Sequence, residues 1–375
     1  MQHPTELAYH LLVPLAAIVS FMVVFTSIPT VLHIAYSKRL FDKPNFRSAH
    51  TKITPRLGGI AIAFGFIFTY SFFADWYSYA YVPFLTSSFV LIFVVGIKDD
   101  IISTAAVVKL LGQLLAASII VGLGGVQIDE LQGVLSVPLS EGWGIAISIF
   151  AVTFLLNGFN LIDGIDGLAA ITGIISLSAF TLWFYINGYY HIPLIAASLA
   201  GGLLAFIYYN MYCVRLKIFM GDTGSLLIGF VVSVVAIAFL KFNNQIVNVE
   251  PHTYTLSSAP AVAVAVLIVP VVDTIRIFFL RILRGNSPFS PDKNHIHHRM
   301  LELGMTHHQI SFTIGGVNVF FIFLAYFLRD IGTWALLAIV LPLGFALAAT
   351  PSWILLFKKK NKQKQASKLQ AAGSK

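Results

Sequence analysis

The sequence predicts an all-α polytopic integral membrane protein, a bundle of about eleven transmembrane helices with its N-terminus outside and its C-terminus in the cytoplasm. Three observations lead to this fold class. Hydrophobic residues make up 57% of the 375 residues, whereas only 11% are charged, and the mean hydropathy is +0.83. The apolar residues form segments of bilayer-spanning length, and the basic residues concentrate in alternate loops.

Most of the apolar segments have the length that a helix needs to cross about 30 Å of hydrocarbon, roughly 20 residues. In chain order they are 10–36, 57–75, 80–97, 105–126, 142–159, 168–187, 192–212, 223–242, 258–283, 311–329 and 331–357. We therefore predict one transmembrane domain over residues 1–357. The remaining residues, 358–375, are rich in lysine and glutamine, and we expect a disordered cytoplasmic tail there.

The distribution of basic residues orients the helices. With the N-terminus outside, 22 of the 24 lysine and arginine residues lie in or next to cytoplasmic loops, leaving only Lys241 and Arg329. The formal net charge of +8 is mostly this bias, so we expect no nucleic-acid partner. The single cysteine, Cys213, excludes a disulfide framework and a thiolate metal cluster.

The first polar motif on the cytoplasmic side is KDD at 98–100, with Lys109 following in KLLGQ. Adjacent carboxylates repel each other, so Asp99 and Asp100 are costly unless a cation or a proton transfer uses them. A solvated boundary at the end of a span is the alternative interpretation.

The second motif, NLIDGIDG at 160–167, places Asn160, Asp163 and Asp166 between two apolar spans. Carboxylates three residues apart share one helical face or one turn, and the glycines between them let a ligand approach the backbone. A loop with Asx turns is the alternative. Because a carboxylate in hydrocarbon is costly and rarely kept without a task, a functional site is favoured.

The third motif, FMGDTGS at 219–225, places Asp222 at the start of a span. Free backbone N–H groups there suit phosphate, and hard carboxylate oxygens suit Mg²⁺, which typically takes one or two carboxylates plus substrate phosphates. A helix N-cap is the alternative.

The fourth motif is the basic, histidine-rich stretch RGNSPFSPDKNHIHHRM at 284–300. It suits an anion clamp over metal-bound pyrophosphate better than a zinc site, because its histidine spacing is not that of structural zinc. We expect His307 and His308 to be solvated, and Asp273 and Arg276 to form an ion pair on one helix face.

Acids that bind a hard cation and bases that hold phosphate thus share one surface, which predicts phosphoryl transfer to or from a lipid. The sequence has no Walker loop or kinase motif, so ATP is not the expected donor. A transporter for a lipid-linked anion is the rival class, and it would place polar residues near the middle of the spans.

Five segments in this order resemble the polyprenyl-phosphate N-acetylhexosamine-1-phosphate transferases of glycosyltransferase family 4. They are TPRLGG, KDD with KLLGQ, NGFNLIDGIDGLAA, FMGDTGS and PDKNHIHHRM, within residues 54–300. The HIHH form resembles the bacterial undecaprenyl-phosphate N-acetylglucosamine-1-phosphate transferase branch. The muramoyl-pentapeptide transferases carry three consecutive histidines instead.

The resemblance implies that undecaprenyl phosphate attacks the β-phosphorus of a UDP-N-acetylhexosamine and releases UMP. By the same resemblance, this reaction would be the first membrane step in the biosynthesis of a cell-surface polysaccharide, on the cytoplasmic face of the bacterial inner membrane. UDP-N-acetylglucosamine is the favoured donor, and another UDP-N-acetylhexosamine or UDP-muramoyl-pentapeptide is the alternative. The resemblance also implies Mg²⁺, with Mn²⁺ as an alternative cation, and it leaves a homodimer open.

Residue roles follow from the same resemblance. Asp222 and Asn160 would bind the metal, and Asp99, Asp100 and Lys109 would lie where the lipid phosphate enters. His297 and His298 would act at the pyrophosphate. The substrate-binding residues would be Arg56, Asp163, Asp166, Asn210, Phe219, Arg284, Lys293, His295 and Arg299. Among them, Phe219 would lie against uracil and Asp166 would accept its imide N–H.

Overall fold

The computed structural model describes residues 6–40, 54–74, 79–134, 138–249, 254–285 and 295–373, and it is all-helical over those residues. The first seven helices are α1 (Glu6–Ser37), α2 (Gly58–Phe73), α3 (Val82–Ile102), α4 (Ala106–Ser118), α5 (Glu141–Ile162), α6 (Leu168–Ile186) and α7 (His191–Ile207). The others are α8 (Gly221–Val249), α9 (Ala259–Val266), α10 (Ile268–Leu283), α11 (Ile296–Glu302), α12 (His307–Phe327) and α13 (Thr333–Gly373). Single π-helical turns, Ile119–Leu123 and Tyr208–Tyr212, extend α4 and α7.

Within the described ranges, eight helices are long and apolar enough to cross a membrane, or nine if the bent pair of α9 and α10 counts as one span. Of the other helices, α2 is apolar but has only 16 residues, and α3 ends in the polar run KDD. The prediction of a multi-pass helical membrane protein is confirmed. The count of eleven spans and the orientation of the termini stay predictions.

The first turn of α8 lies against α2 and α3, and the rest of this almost wholly buried helix forms the centre of the bundle. The close approach depends on two glycines. A Cβ atom on Gly59 would lie 2.2 Å from the backbone nitrogen of Gly224, and one on Gly96 would lie 2.5 Å from Cα of Thr223. A side chain at either position would displace the turn that carries Asp222.

A short backbone ladder joins the TPRLGG and FMGDTGS segments. The N–H of Phe219 donates to the carbonyl of Pro55 at 2.9 Å, and the N–H of Gly58 donates back to the carbonyl of Phe219 at 2.9 Å. The N–H of Gly59 donates to the carbonyl of Met220 at 2.8 Å. Two motifs that are 160 residues apart in the sequence are therefore one structural unit at the start of α8.

The helices α9 and α10 meet at an angle of 80° around Leu267. Pro270, in the first turn of α10, has no N–H to donate to the preceding helix, which is a common cause of a sharp break. The bend leaves Asp273 of α10 buried beside the histidine-rich segment.

The C-terminal basic segment continues α13 to Gly373. Lysine, glutamine and alanine are strong helix formers, and extending a helix that already exists avoids the cost of nucleation. The domain boundary after residue 357 and the disorder of the tail stay predictions.

Candidate active site

Lys109 lies at the centre of the predicted catalytic motifs. Its Nζ forms an ion pair with the carboxylate of Asp222, lies 3.2 Å from Oδ2 of Asp99 and 3.4 Å from Oδ1 of Asn160. These residues come from α3, α4, α5 and α8, so four helices converge on one ammonium group. The Lys109 side chain is only 13% exposed, and a cation that is so far removed from water needs such partners.

The adjacent carboxylates of KDD have different partners. Asp99 faces Lys109 and also accepts the N–H of Thr104 at 2.5 Å. Asp100 accepts the N–H groups of Asp222 at 2.7 Å and Thr223 at 3.0 Å, together with the hydroxyl of Thr223 at 2.5 Å. It thus caps the first turn of α8, where free N–H groups and the helix dipole favour an anion.

The oxygen donors around Lys109 fit the predicted Mg²⁺ site. Asp222 offers a carboxylate, and the amide oxygen of Asn160 faces the same ammonium because its Nδ2 donates to Ser225 Oγ at 2.9 Å. In the described part of the chain, no three His, Cys, Asp or Glu side chains form a group able to hold a metal. A carboxylate, an amide oxygen and substrate phosphates are nevertheless a usual ligand set for Mg²⁺.

Asp163 lies in the short loop between α5 and α6, within electrostatic reach of this cluster. Burial, and then the carboxylates of Asp222 and Asp100, raise its pKa well above the usual range, while Arg56 opposes the shift. Asp163 is therefore easier to protonate than an ordinary aspartate, and a further positive charge nearby would favour its ionised form.

Asp166 in the same loop is 9% exposed and bound by two basic side chains. Its Oδ2 lies 2.6 Å from Lys217 Nζ and 2.9 Å from His307 Nδ1, and its carbonyl accepts the Ser311 hydroxyl at 2.7 Å. Burial alone would raise the pKa of Asp166, but hydrogen bonds from His307 and Lys217 outweigh it and lower the pKa. The prediction that His307 is solvated is wrong, because its ring contacts the carboxylate of Asp166. His308 is exposed.

The histidine-rich segment packs on the NLIDGIDG loop. Nε2 of His297 lies 2.4 Å from where a Cβ atom of Gly164 would be, so only glycine fits there. Burial lowers the pKa of His297 to about 3, so this ring is neutral at pH 7 and meets an anion only through its N–H. His295 Nδ1 lies 2.8 Å from Oδ2 of Asp273.

Asp273 also accepts the N–H of Ile296 at 3.1 Å, which fixes the start of α11. The predicted Asp273–Arg276 ion pair is therefore wrong: Arg276 donates instead to the hydroxyl of Ser352 at 3.3 Å. Asp273 is buried where α10 packs against α11, so His295 becomes its partner. The spacing of residues along α10 alone does not reveal this contact.

The family model described as glycosyl transferase family 4 matches residues 82–240, which contain the whole Lys109 cluster. The chain is also 33% identical over 331 residues to the probable undecaprenyl-phosphate N-acetylglucosaminyl 1-phosphate transferase of Bacillus subtilis (strain 168), with 87% of each protein covered. The chain belongs to glycosyl transferase family 4.

Two further relatives of this family 4 transferase cover most of its length. The undecaprenyl-phosphate alpha-N-acetylglucosaminyl 1-phosphate transferase of Escherichia coli O157:H7 is 30% identical over 280 residues, 74% of this chain and 73% of the relative. The decaprenyl-phosphate N-acetylglucosaminephosphotransferase of Mycobacterium leprae (strain TN) is 32% identical over 295 residues, 72% of each. The resemblance inferred from the motifs is confirmed, and the protein is a transferase enzyme.

The other predicted site residues of the family 4 transferase, which are substrate-binding residues and the predicted catalytic His298, have varied settings. Phe219 is half-exposed beside the Lys217 ammonium, which is 5.6 Å from its ring centroid. Asn210 is buried in the π-helical turn after α7 and donates to the carbonyl of Ile218 at 2.9 Å. Arg56 and Arg284 are exposed, and Arg299 pairs with Glu302 at 2.9 Å. His298 is half-buried beside His297. Lys293 lies outside the described residues.

Sequence reasoning missed several residues that support the site. Lys217 and His307 hold Asp166, and nothing in their spacing links them to it. Gln113 and Asn157 form a reciprocal amide pair between α4 and α5, with N···O distances of 2.7 and 3.4 Å. The only signal for this pair is that Gln113 lies four residues after Lys109, on the same helical face.

Proposed function

We propose that this family 4 transferase moves N-acetylglucosamine-1-phosphate from UDP-N-acetylglucosamine to undecaprenyl phosphate, at the cytoplasmic face of the bacterial inner membrane. The observation that carries the proposal is the cluster of Lys109 with Asp99, Asn160 and Asp222 at one end of the bundle. The names of the three relatives support the transferred group, and two of those names support the undecaprenyl acceptor.

In the proposed reaction, a phosphate oxygen of the acceptor attacks the β-phosphorus of the donor. The new O–P bond forms as the bond from that phosphorus to the oxygen bridging to the α-phosphorus breaks, and UMP leaves with this oxygen. Both substrates are anions, so neutralising their charge is the main catalytic task. Lys109 supplies one fixed cation, and Mg²⁺ on Asp222 and Asn160 would supply Lewis-acid stabilisation of the phosphates.

Contacts of the acidic residues favour a single in-line displacement. A phosphate monoester has a second pKa of about 6, so the acceptor is mostly a dianion near pH 7 and needs little help from a general base. Asp99 is already paired with Lys109 and the N–H of Thr104, and Asp100 is occupied at the start of α8. Either carboxylate would have to leave these partners to form the aspartyl-phosphate of a double displacement.

The donor would lie along the loops that connect this cluster to Asp166. Phe219 offers a half-exposed ring for uracil, and Asp166 offers a carboxylate that accepts its imide N–H. The pyrophosphate would then lie between the nucleoside and Lys109, next to the loop where His297 packs on Gly164.

The test uses purified protein in nanodiscs with undecaprenyl phosphate, Mg²⁺ and one labelled UDP-sugar at a time. UDP-N-acetylglucosamine should yield a lipid-linked sugar diphosphate, identified by mass spectrometry, and an equal amount of UMP. Lys109→Met should abolish most turnover, whereas Lys98→Met, which removes the exposed first residue of the KDD motif, should retain it. A lipid product from a different UDP-sugar only would reassign the donor, and no lipid product from any of them would overturn the proposal.

A second measurement separates the two mechanisms. Protein freed of lipid acceptor should not exchange labelled UMP into the UDP-sugar if a single displacement operates. Rapid exchange without acceptor would show a covalent intermediate and assign the nucleophile to Asp99 or Asp100.

A further inference from the structure

Three separate parts of the chain meet at one carboxylate oxygen of Asp166. Lys217 belongs to the segment between α7 and α8, and His307 is the first residue of α12. Both side chains contact Oδ2, at 2.6 and 2.9 Å, and the Ser311 hydroxyl holds the backbone carbonyl of the same residue. The side chain and the backbone of Asp166 are therefore both fixed.

The second oxygen of the carboxylate stays available. Across the described residues, Oδ1 of Asp166 has no hydrogen-bond partner, whereas Oδ2 has two. Lys217 also lies 5.6 Å from the ring centroid of Phe219, so the held carboxylate and the half-exposed aromatic ring are neighbours. A flat base on Phe219 would therefore lie close to a single oriented acceptor.

We propose that Lys217 and His307 are positioning residues that hold Asp166 for the nucleobase of the donor, an inference that rests on the proposed function. Two donors on Oδ2 turn the carboxylate so that Oδ1 is the acceptor for an N–H group of the base. An ionised carboxylate only accepts hydrogen bonds, so it suits the imide N–H of uracil and not the bare ring nitrogen of cytosine. The pair thus sets the preference for a uridine nucleotide as well as its affinity.

The direct test measures UMP and CMP binding to the purified full-length protein by titration calorimetry. Lys217→Met and His307→Leu should each weaken UMP binding about five- to tenfold, the effect of losing one charge-assisted hydrogen bond, and leave weak CMP binding unchanged. The KM for the UDP-sugar should rise by the same factor, while kcat and the KM for undecaprenyl phosphate stay within about twofold. His307→Asn should recover part of the loss, since its amide N–H can still donate to Asp166.

Matched controls come from the same two segments. Arg215→Met removes an exposed cation two residues before Lys217. His308→Asn alters the residue next to His307; the His308 ring contacts the carbonyl of Met211 and not Asp166. Both controls should bind UMP like the wild type. Lys217 is 32% exposed, so Lys217→Met keeps the test available if His307→Leu does not fold.

A double-mutant cycle decides whether the effect passes through Asp166. Adding His307→Leu to Asp166→Asn should weaken UMP binding by less than about twofold, because the carboxylate that His307 holds is already gone. If the double variant loses UMP affinity by the product of the factors seen in the two single variants, the positioning role is overturned. Wild-type affinity in both Lys217→Met and His307→Leu would overturn it too but leave the proposed function standing, whereas a wild-type protein that does not bind UMP would overturn both.

Discussion

Asp100→Ala removes an acceptor that serves three donors at the start of α8, two N–H groups and a hydroxyl, at 2.5 to 3.0 Å. Loss of a helix N-cap acceptor costs about 0.5–2 kcal/mol, and an ionised acceptor lies at the upper end, so we expect a loss of about 2 kcal/mol. The entropy of unfolding grows with chain length, so in a chain of 375 residues this loss lowers the melting temperature by roughly 2–3 °C. Turnover should fall as well, because the same turn orients Asp222.

The assay compares Asp100→Ala with Asp100→Asn and Asp99→Ala, by thermal melting in one detergent and by UMP release. Asp100→Asn keeps one acceptor oxygen and should lose about half as much stability. Asp99→Ala leaves α8 capped but removes a partner of the buried Lys109 ammonium and the acceptor of the Thr104 N–H, so it should also melt below the wild type and lose most turnover. If Asp100→Ala melts like the wild type yet is inactive, Asp100 acts on phosphate directly and the capping argument is refuted.

Three further predictions concern the metal, the Gln113–Asn157 amide pair and the topology. Asp222→Asn should nearly abolish turnover and raise the Mg²⁺ concentration needed for activity. Asp166→Asn should raise the KM for the donor several-fold, which corresponds to about 1 kcal/mol, and leave the Mg²⁺ dependence unchanged. If both variants raise the required Mg²⁺ concentration equally, Asp166 is a metal ligand. Gln113→Leu and Asn157→Leu should each lower the melting temperature, and the double variant should melt no lower than the worse of the two. This corresponds to a coupling free energy of about 1 kcal/mol between the two side chains. If the losses of stability in the two single variants simply add up in the double variant, the two amides do not stabilise each other. A reporter fused after Lys375 should be active as a cytoplasmic enzyme and inactive as a periplasmic phosphatase, and the reverse result would contradict the map drawn from basic residues.

The candidate site could be predicted as a set of residue types but not as an arrangement. The motifs named Asp99, Lys109, Asn160 and Asp222, and these four do meet in the structure. The motifs treated Asp99 and Asp100 alike, because adjacency in sequence does not tell which carboxylate faces α4 and which faces α8. That difference depends on the helix turn at which α3 crosses its neighbours.

The sequence by itself determined the membrane class, the family and the polar motifs, because hydropathy, the positions of basic residues and motif order are properties of the chain read in one dimension. Only the tertiary structure decided that His307 is a partner of Asp166, 141 residues away, and that Asp273 pairs with His295 and not with Arg276. A buried carboxylate takes the cation or donor that packing places within about 3 Å of it, and that choice depends on several helices at once. Helix-face spacing, which led to the wrong Asp273–Arg276 pair, describes one helix alone.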